Sequence, residues 1–131
     1  MARIYPLPLL ALVLLTACAG PGQPPIKPVS AAATPLTDAQ VRQTLIGNKL
    51  TNIGTSGRPY SLSFRGDGTE IFQMGGDTPV TEHWTVQDGV ITFTSPNQPV
   101  ERYRLLQDKD DYWLVDPQTG AVHYHYSLAP Q

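Results

Sequence analysis

The chain has 131 residues, which is enough for one small globular domain. Lysine and arginine together number 9, aspartate and glutamate together number 11, and the formal net charge is -2. A nucleic-acid-binding protein needs a basic face to neutralise phosphates, so this weakly acidic composition argues against that class.

The N-terminal segment has the pattern of an export signal. Arg3 supplies a short positive region, and a leucine-rich apolar stretch follows until Gly20-Pro21 ends it. A membrane-spanning helix needs about 20 apolar residues, so this stretch is too short to remain as a stable span. We therefore expect residues 1–17 to be a signal peptide.

The sequence Leu15-Thr16-Ala17-Cys18 closes this stretch and resembles the lipobox of bacterial lipoproteins. The resemblance implies that a diacylglyceryl group is attached to the sulfur of Cys18 and that a peptidase cuts before it. Ala19 stands where many inner-membrane lipoproteins carry aspartate, so the resemblance implies an outer-membrane protein that faces the periplasm. Surface exposure and a Gram-positive host are the alternatives, and an ordinary signal peptide with Cys18 there by chance is another.

Residues 18–35 have the composition of an extended spacer. They are rich in proline, alanine, glycine and serine and carry a single charge, on Lys27. Such a segment cannot bury a core of its own, and it is expected to hold the following domain at most about 50 Å from the membrane.

The folded domain is expected to begin at residue 36 and to extend to residue 131. Thr37 with Gln40 three residues later is typical of a capping box at a helix start. Gly47 suits the left-handed residue that follows a helix end. These signals predict one short helix over residues 38–46.

Turn-forming residues then recur about every ten residues, which predicts short antiparallel strands joined as hairpins. A sheet with one apolar face can bury that face and remove its edges by closing on itself. We therefore predict a mainly-β fold, a small antiparallel up-and-down β-barrel preceded by one short capped α-helix. Eight strands are expected, near residues 48–53, 59–65, 69–74, 80–87, 90–95, 100–107, 111–116 and 121–128.

Apolar and polar residues alternate along several of these strands, which assigns one set of side chains to the barrel interior. The expected inward residues are Tyr60, Leu62, Phe64, Trp84, Val86, Ile91, Phe93, Tyr103, Leu105, Val122, Tyr124 and Tyr126.

The segments Phe64-x-x-Asp67-Gly68-Thr69 and Trp84-x-Val86-x-Asp88-Gly89 resemble small lipocalin-like domains of bacterial envelope proteins, over roughly residues 47–128. The Gly-x-Trp signature of true lipocalins is absent, since Asn48 and Lys49 follow Gly47. The resemblance implies a barrel that can carry a small apolar ligand at one mouth.

Four aromatic residues are candidates for contact with a ligand or a partner: Trp84, Tyr103, Trp113 and Tyr124. The interior of an eight-stranded barrel is either filled by side chains or holds one small ligand. The short strands favour a filled core. Trp113, Tyr112 and Tyr124 are then expected near a rim, where aromatic residues suit a protein interface.

Metal and calcium sites are not predicted. His83, His123 and His125 are expected on outward faces and would bind zinc only if their strands were adjacent. The acidic cluster Asp108, Asp110, Asp111 and Asp116 does not fit a calcium loop, because its sixth and twelfth positions are Trp113 and Thr119. No cofactor is expected.

No catalytic constellation is complete in the sequence. Gly54-Thr55-Ser56-Gly57 lacks the spacing of a nucleophile elbow, and lipidation consumes the only cysteine. Glu70, Glu82 and Glu101 would suit glycoside hydrolysis only if two of them faced each other, which the sequence alone does not establish. No enzyme and no catalytic residue are therefore predicted.

The favoured function is a non-enzymatic binding or interaction module, held to the membrane through lipid on Cys18, that binds a protein partner or another envelope component. The alternative is a lipocalin-like carrier of a small apolar ligand, which requires a cavity at one barrel mouth. A hydrolase or metal-dependent enzyme is the third hypothesis and requires the three histidines to converge.

Overall fold

The computed structural model describes residues 26–53 and 58–131. The predicted signal peptide, residues 1–17, and the predicted lipidation site, Cys18, lie outside the described residues. No helix within the described part of the chain is long and apolar enough to cross a membrane. The elements are β1 Thr34–Pro35, α1 Asp38–Leu45, β2 Asn48–Ile53, β3 Pro59–Phe64, β4 Thr69–Met74, β5 Val80–Gln87, β6 Val90–Thr94, β7 Glu101–Asp108, β8 Asp111–Val115 and β9 Val122–Pro130.

Strands β2 to β9 form a closed antiparallel barrel of eight strands. Each strand pairs with the next along the chain, and β9 closes the barrel on β2, where Leu50 stands opposite Leu128. The two-residue strand β1 lies beside the second half of β7, beyond the end of its pairing with β6. The predicted mainly-β barrel with one short helix before it is confirmed.

The turn between β5 and β6 shows how local sequence fixes this topology. Asp88 and Gly89 connect the two strands with positive φ angles of 52° and 74°. A two-residue turn with both residues in this region matches the twist of the strands that it joins. The hairpin register, with Gln87 opposite Val90, follows from that turn.

Helix α1 starts at the predicted capping box. The backbone N–H of Gln40 donates to the Thr37 hydroxyl at 3.3 Å, and the Gln40 side chain accepts from the Thr37 backbone N–H at 2.9 Å. Val41 and Leu45 are fully buried, so one face of the helix packs on the barrel core. The helix ends one residue earlier than expected, at Leu45.

The same helix closes one end of the barrel. The Asp38 carboxylate accepts from the backbone N–H groups of Asp88 and Gly89 at 3.0 and 2.6 Å. The Arg42 guanidinium donates to the Val86 carbonyl at 3.3 Å. These bonds attach α1 to the β5–β6 hairpin, and we call this the closed end.

The core lies towards the closed end. Most residues assigned to the interior by alternation are buried: Leu62, Phe64, Trp84, Val86, Ile91, Phe93, Tyr103, Leu105 and Tyr126. Tyr60 near the start of β3 and Tyr124 near the start of β9 are only half-buried. The interior is therefore less tightly filled at the other end.

Residues 26–35, which the composition assigns to the spacer, lie against the outer wall of the barrel. The Trp113 indole N–H donates to the Lys27 carbonyl at 2.9 Å, and the Ser30 hydroxyl donates to Asp108 at 2.6 Å. Strand β1 completes this contact by pairing with β7. Trp113 is 0% exposed, although it lies opposite His125 on the outward side of the sheet.

Candidate functional site

A cavity of about 840 Å³ occupies the end of the barrel opposite α1. Ser95, Pro96, Gln98 and Pro99 of the β6–β7 connection are among its lining residues, so it opens at this end. The expectation of a filled core is therefore wrong. Helix α1 and the side chains packed around Phe64 and Trp84 fill the closed end, whereas a space remains among the inward side chains of the open half.

Three glutamates line this cavity from three strands. Glu70 of β4 stands opposite Phe64 on one side and Glu82 of β5 on the other. Glu101 of β7 stands opposite Phe93. Directly opposite residues of an antiparallel pair share one face of the sheet, so all three glutamates face the interior.

Glu70 is the most perturbed of the three carboxyl groups. Its side chain is 0% exposed, and neither of its oxygens has a hydrogen-bond partner within the described residues. Burial, with smaller contributions from the neighbouring charges of Glu82 and Glu101, raises the pKa of Glu70 to about 8. At neutral pH this side chain is therefore mostly protonated.

Glu82 is perturbed in the same direction but less strongly. Burial raises its pKa, the Ser95 hydroxyl opposes this by a hydrogen bond to the carboxylate, and the charge of Glu101 raises the pKa again. The pKa values of Glu70 and Glu82 thus respond to the same group of charges. The three carboxyl groups form one electrostatic cluster.

Tyrosine rings form much of the remaining wall. The Tyr60 ring centroid lies 5.7 Å from that of Tyr126 and 6.5 Å from that of Tyr124, and the Tyr103 centroid lies 5.9 Å from that of Tyr124. Burial is the largest cause that raises the pKa of each of these four phenols, so they remain neutral at physiological pH. The cavity thus combines aromatic surface with hydroxyl groups.

Of the four aromatic residues predicted as ligand or partner contacts, two line the cavity and two do not. Tyr103 and Tyr124 line the cavity. Trp84 packs edge-on against Phe64 at 5.3 Å in the core, and its indole N–H donates to the Thr69 carbonyl at 3.1 Å. Trp113 lies on the outer wall, where it bonds to Lys27, and does not line the cavity.

The aromatic rim considered as a protein interface is not formed by Trp113 and Tyr112. Trp113 is 0% exposed and Tyr112 is 5% exposed, so neither offers a surface to a partner. The polar end of the buried Tyr112 side chain has a partner, because its hydroxyl accepts a hydrogen bond from the Gln107 side chain at 3.0 Å.

The three histidines do not converge. Strands β5 and β9 are four strands apart in either direction around the barrel, so His83 lies across it from His123 and His125. His125 contacts Asp111 at 2.6 Å on the outer wall. The register of β8 and β9 shifts at Leu114/Val115, and the His123 ring lies 5.2 Å from Tyr103 at the cavity edge. Within residues 26–53 and 58–131 no group of three or more His, Cys, Asp or Glu side chains is arranged to hold a metal ion.

The acidic hairpin residues take structural roles. The Asp116 carboxylate accepts from the backbone N–H groups of Gln118 and Thr119, both at 2.8 Å, which holds the β8–β9 turn. Asp111 pairs with Lys27 at 2.7 Å. These contacts favour the interpretation of the cluster as turn and surface residues.

The cavity position of Glu70 was not predicted, although a signal for it exists. The turn of Gly66, Asp67 and Gly68 sets Glu70 opposite Phe64, which alternation had already assigned to the interior. The hairpin register that follows from this turn places the Glu70 carboxyl group on the inward face of the barrel.

No protein-family model matches this sequence, and comparison with curated proteins and with solved structures finds no similar one. The closed eight-stranded barrel is compatible with a lipocalin-like fold. The functional argument therefore depends on the geometry of the cavity.

Proposed function

We propose that this protein is a small-molecule-binding protein of the bacterial envelope, in which the barrel carries a ligand in its open cavity. The observation that carries the proposal is the cavity itself, at about 840 Å³. Sites for small molecules commonly occupy about 300 to 1,000 Å³ and combine apolar walls with a few polar groups. The tyrosines and the glutamate cluster have that composition.

The cavity is a stronger candidate for the binding element than the outer surface. The aromatic residues suggested for a protein interface, Trp113 and Tyr112, are buried. Tyr103 and Tyr124, in contrast, have one side towards the cavity. This difference favours the carrier hypothesis over a module that works through its surface, and the proposal is for binding without chemical conversion of the ligand.

The membrane anchor is a further part of the proposal and is supported by the sequence. The resemblance of residues 15–18 to a lipobox supports the attachment of lipid to Cys18. Ala19 favours the outer membrane, with the domain facing the periplasm. Since residues 26–35 contact the barrel, the segment between Cys18 and Ile26 would set the distance from the lipid. A carrier held there would act on molecules that cross the periplasm.

The test is ligand occupancy of the mature chain with Cys18→Ser, exported behind a cleavable leader and purified gently. Native mass spectrometry is expected to show a bound organic molecule, or the emptied protein is expected to bind the neutral fluorophore N-phenyl-1-naphthylamine. A bare polypeptide mass together with no fluorophore binding would overturn the proposal.

A matched pair of variants locates the binding. Met74 lines the cavity at the end of β4, whereas the preceding residue Gln73 faces outward opposite Ser61. Met74→Trp is expected to narrow the cavity and to weaken fluorophore binding by roughly tenfold or more, because the added ring occupies its space. Gln73→Trp adds the same ring to the outside and is expected to leave binding unchanged.

A further inference from the structure

The distribution of acidic residues between cavity and surface is uneven. The sequence contains three glutamates, and all three line the cavity. None of the eight aspartates does, and they lie in turns or at the ends of elements. The acidic side chains inside the barrel are thus a separate group from the turn residues outside it.

The burial of Glu70 is a second observation, separate from the uneven distribution of the acidic residues. It is completely buried, both of its oxygens lack a hydrogen-bond partner in the described residues, and it lies on the inward face at the cavity wall. A buried carboxyl group without a partner destabilises the folded protein, and an apolar residue would fit this core position at lower cost. Such a group is therefore a candidate for contact with a ligand.

Positive charge from the protein does not neutralise the cluster. Lys27 is the single lysine or arginine among the described lining residues, and its ammonium group pairs with Asp111 at 2.7 Å on the outer wall. Arg102 and Arg104 of β7 stand opposite Thr92 and Val90, on the outward side. The cavity therefore has an excess of carboxyl groups over cations.

Aromatic faces surround the same space. The rings of Tyr60 and Phe72 lie 6.3 Å apart by their centroids, and the Tyr60 ring meets that of Tyr124 nearly edge-on, at 72°. Aromatic faces attract a cation through the ring quadrupole and also accept an apolar body. Carboxyl groups and ring faces together suit a positively charged organic group better than an anion or a purely apolar molecule.

We propose that the ligand of this cavity is an organic cation, with an ammonium group held by Glu70, Glu82 and Glu101 and an apolar body among the tyrosines. This inference rests on the proposed function, since it names the ligand class of the same cavity. A metal ion is the less favoured cation, because no described group of side chains is arranged to hold one and the cavity is far larger than an ion.

The test compares three molecules with the same decyl chain and different head groups: decyltrimethylammonium, decanol and decanoate. Each competes with N-phenyl-1-naphthylamine for the mature Cys18→Ser protein at pH 7.5 and low salt. Decyltrimethylammonium is expected to bind roughly tenfold or more tightly than decanol, and decanoate is expected to bind most weakly. Equal binding of decyltrimethylammonium and decanol, or tighter binding of decanoate, would overturn the inference.

Two charge variants complete the test. Glu70→Gln keeps the shape of the side chain and removes the carboxyl group that loses its proton when a cation binds, and it is expected to reduce the preference for decyltrimethylammonium over decanol at least threefold. Asp110→Asn removes one charge from the exposed β7–β8 turn at the closed end and is expected to leave the preference unchanged. An equal effect of both variants would indicate only long-range attraction and would contradict a direct contact with Glu70.

The outcomes separate this inference from the function on which it rests. If the fluorophore and the three decyl compounds all fail to bind, the carrier proposal itself fails. If decanol and decanoate bind as well as decyltrimethylammonium, the barrel is a carrier and only the assignment of an organic cation fails.

Discussion

Glu70 and Glu82 stand directly opposite each other on β4 and β5, with both side chains on the inner face of the barrel. Like charges at such a pair destabilise a sheet. Glu70 escapes part of this repulsion because its raised pKa, about 8, keeps it mostly protonated at neutral pH. The pair therefore links proton binding to the stability of the fold.

The first prediction concerns the pH dependence of stability. Folding raises the pKa of Glu70 from 4.5 to about 8, so the folded protein binds more protons than the unfolded chain between these values. The stability due to this proton is fully present below pH 4.5 and is lost as the pH rises through 8. From Glu70 we expect a loss on the order of 4 kcal/mol in the free energy of unfolding across this range.

Urea unfolding of the wild type and of Glu70→Gln, measured from pH 5 to pH 8.5, checks this prediction. The glutamine does not titrate, so the decline that belongs to Glu70 is expected to disappear. Identical pH profiles for the two proteins would show that Glu70 is not perturbed by its surroundings.

The second prediction is proton release when a cation binds. Decyltrimethylammonium favours the charged form of Glu70, so its binding at pH 7 is expected to release up to one proton. Calorimetry in phosphate and in Tris measures this release, because the apparent enthalpy then differs by the ionisation enthalpies of the two buffers. Glu70→Gln is expected to lose most of that difference.

The groups that face Glu70 determine how this result is interpreted. Glu82 from β5 has a raised pKa and contributes a smaller share of the released proton, and Glu101 from β7 adds its charge. The phenols of β3, β7 and β9 have raised pKa values and stay protonated. His123 lies at the cavity edge, so His123→Gln serves as a second control variant.

The third prediction separates a structural aromatic residue from a ligand contact. Trp113→Phe removes the bond from the indole N–H to the Lys27 carbonyl and leaves a gap beneath residues 26–30, so we expect a stability loss of about 2 kcal/mol. Binding of decyltrimethylammonium is expected to change less than about threefold, since Trp113 is on the outer wall. Tyr124→Ala removes a ring from the cavity and is expected to weaken binding by roughly fivefold or more. A larger binding loss for Trp113→Phe than for Tyr124→Ala would contradict this assignment.

The fourth prediction concerns the membrane anchor. In a Gram-negative host the wild-type protein is expected in the membrane fraction, with an intact mass that exceeds the polypeptide from Cys18 onward by the attached lipid. Cys18→Ala is expected to lose that mass and to leave the outer membrane, since no acyl chain can be attached. Ala19→Asp is the control that keeps the lipid and is expected to move the protein to the inner membrane. Retention of the alanine variant in the outer membrane would contradict lipid anchoring.

The strands of this barrel were predictable because its turns are determined by residues that are adjacent in the sequence. Asp88 and Gly89 alone specify a two-residue hairpin, and alternation then assigns side chains such as Trp84 and Phe93 to the interior. Each of these inferences depends on residues close together in the chain. Local signals were therefore sufficient for the element order and for most of the core.

The site was not predictable in the same way, because it depends on contacts between distant segments. Trp113 is fully buried, and its indole N–H bonds to the carbonyl of Lys27, which is 86 positions earlier in a segment with the composition of a spacer. The cavity is lined by Glu70, Glu82 and Glu101 from β4, β5 and β7 together with tyrosines from β3, β7 and β9, so it depends on the packing of five strands. Alternation identifies the inward face of a strand, but it does not show whether the inward side chains meet.

The most direct test of the central claim is to map where an organic cation binds. Amide and side-chain NMR signals of the mature Cys18→Ser protein, titrated with decyltrimethylammonium, report each part of the barrel separately. We predict saturable shifts at Glu70, Glu82, Tyr103 and Tyr124, with the Trp113 indole and the amide of Arg104 unaffected. Shifts confined to the outer wall, or shifts that do not saturate, would contradict the account of this barrel as a carrier of organic cations.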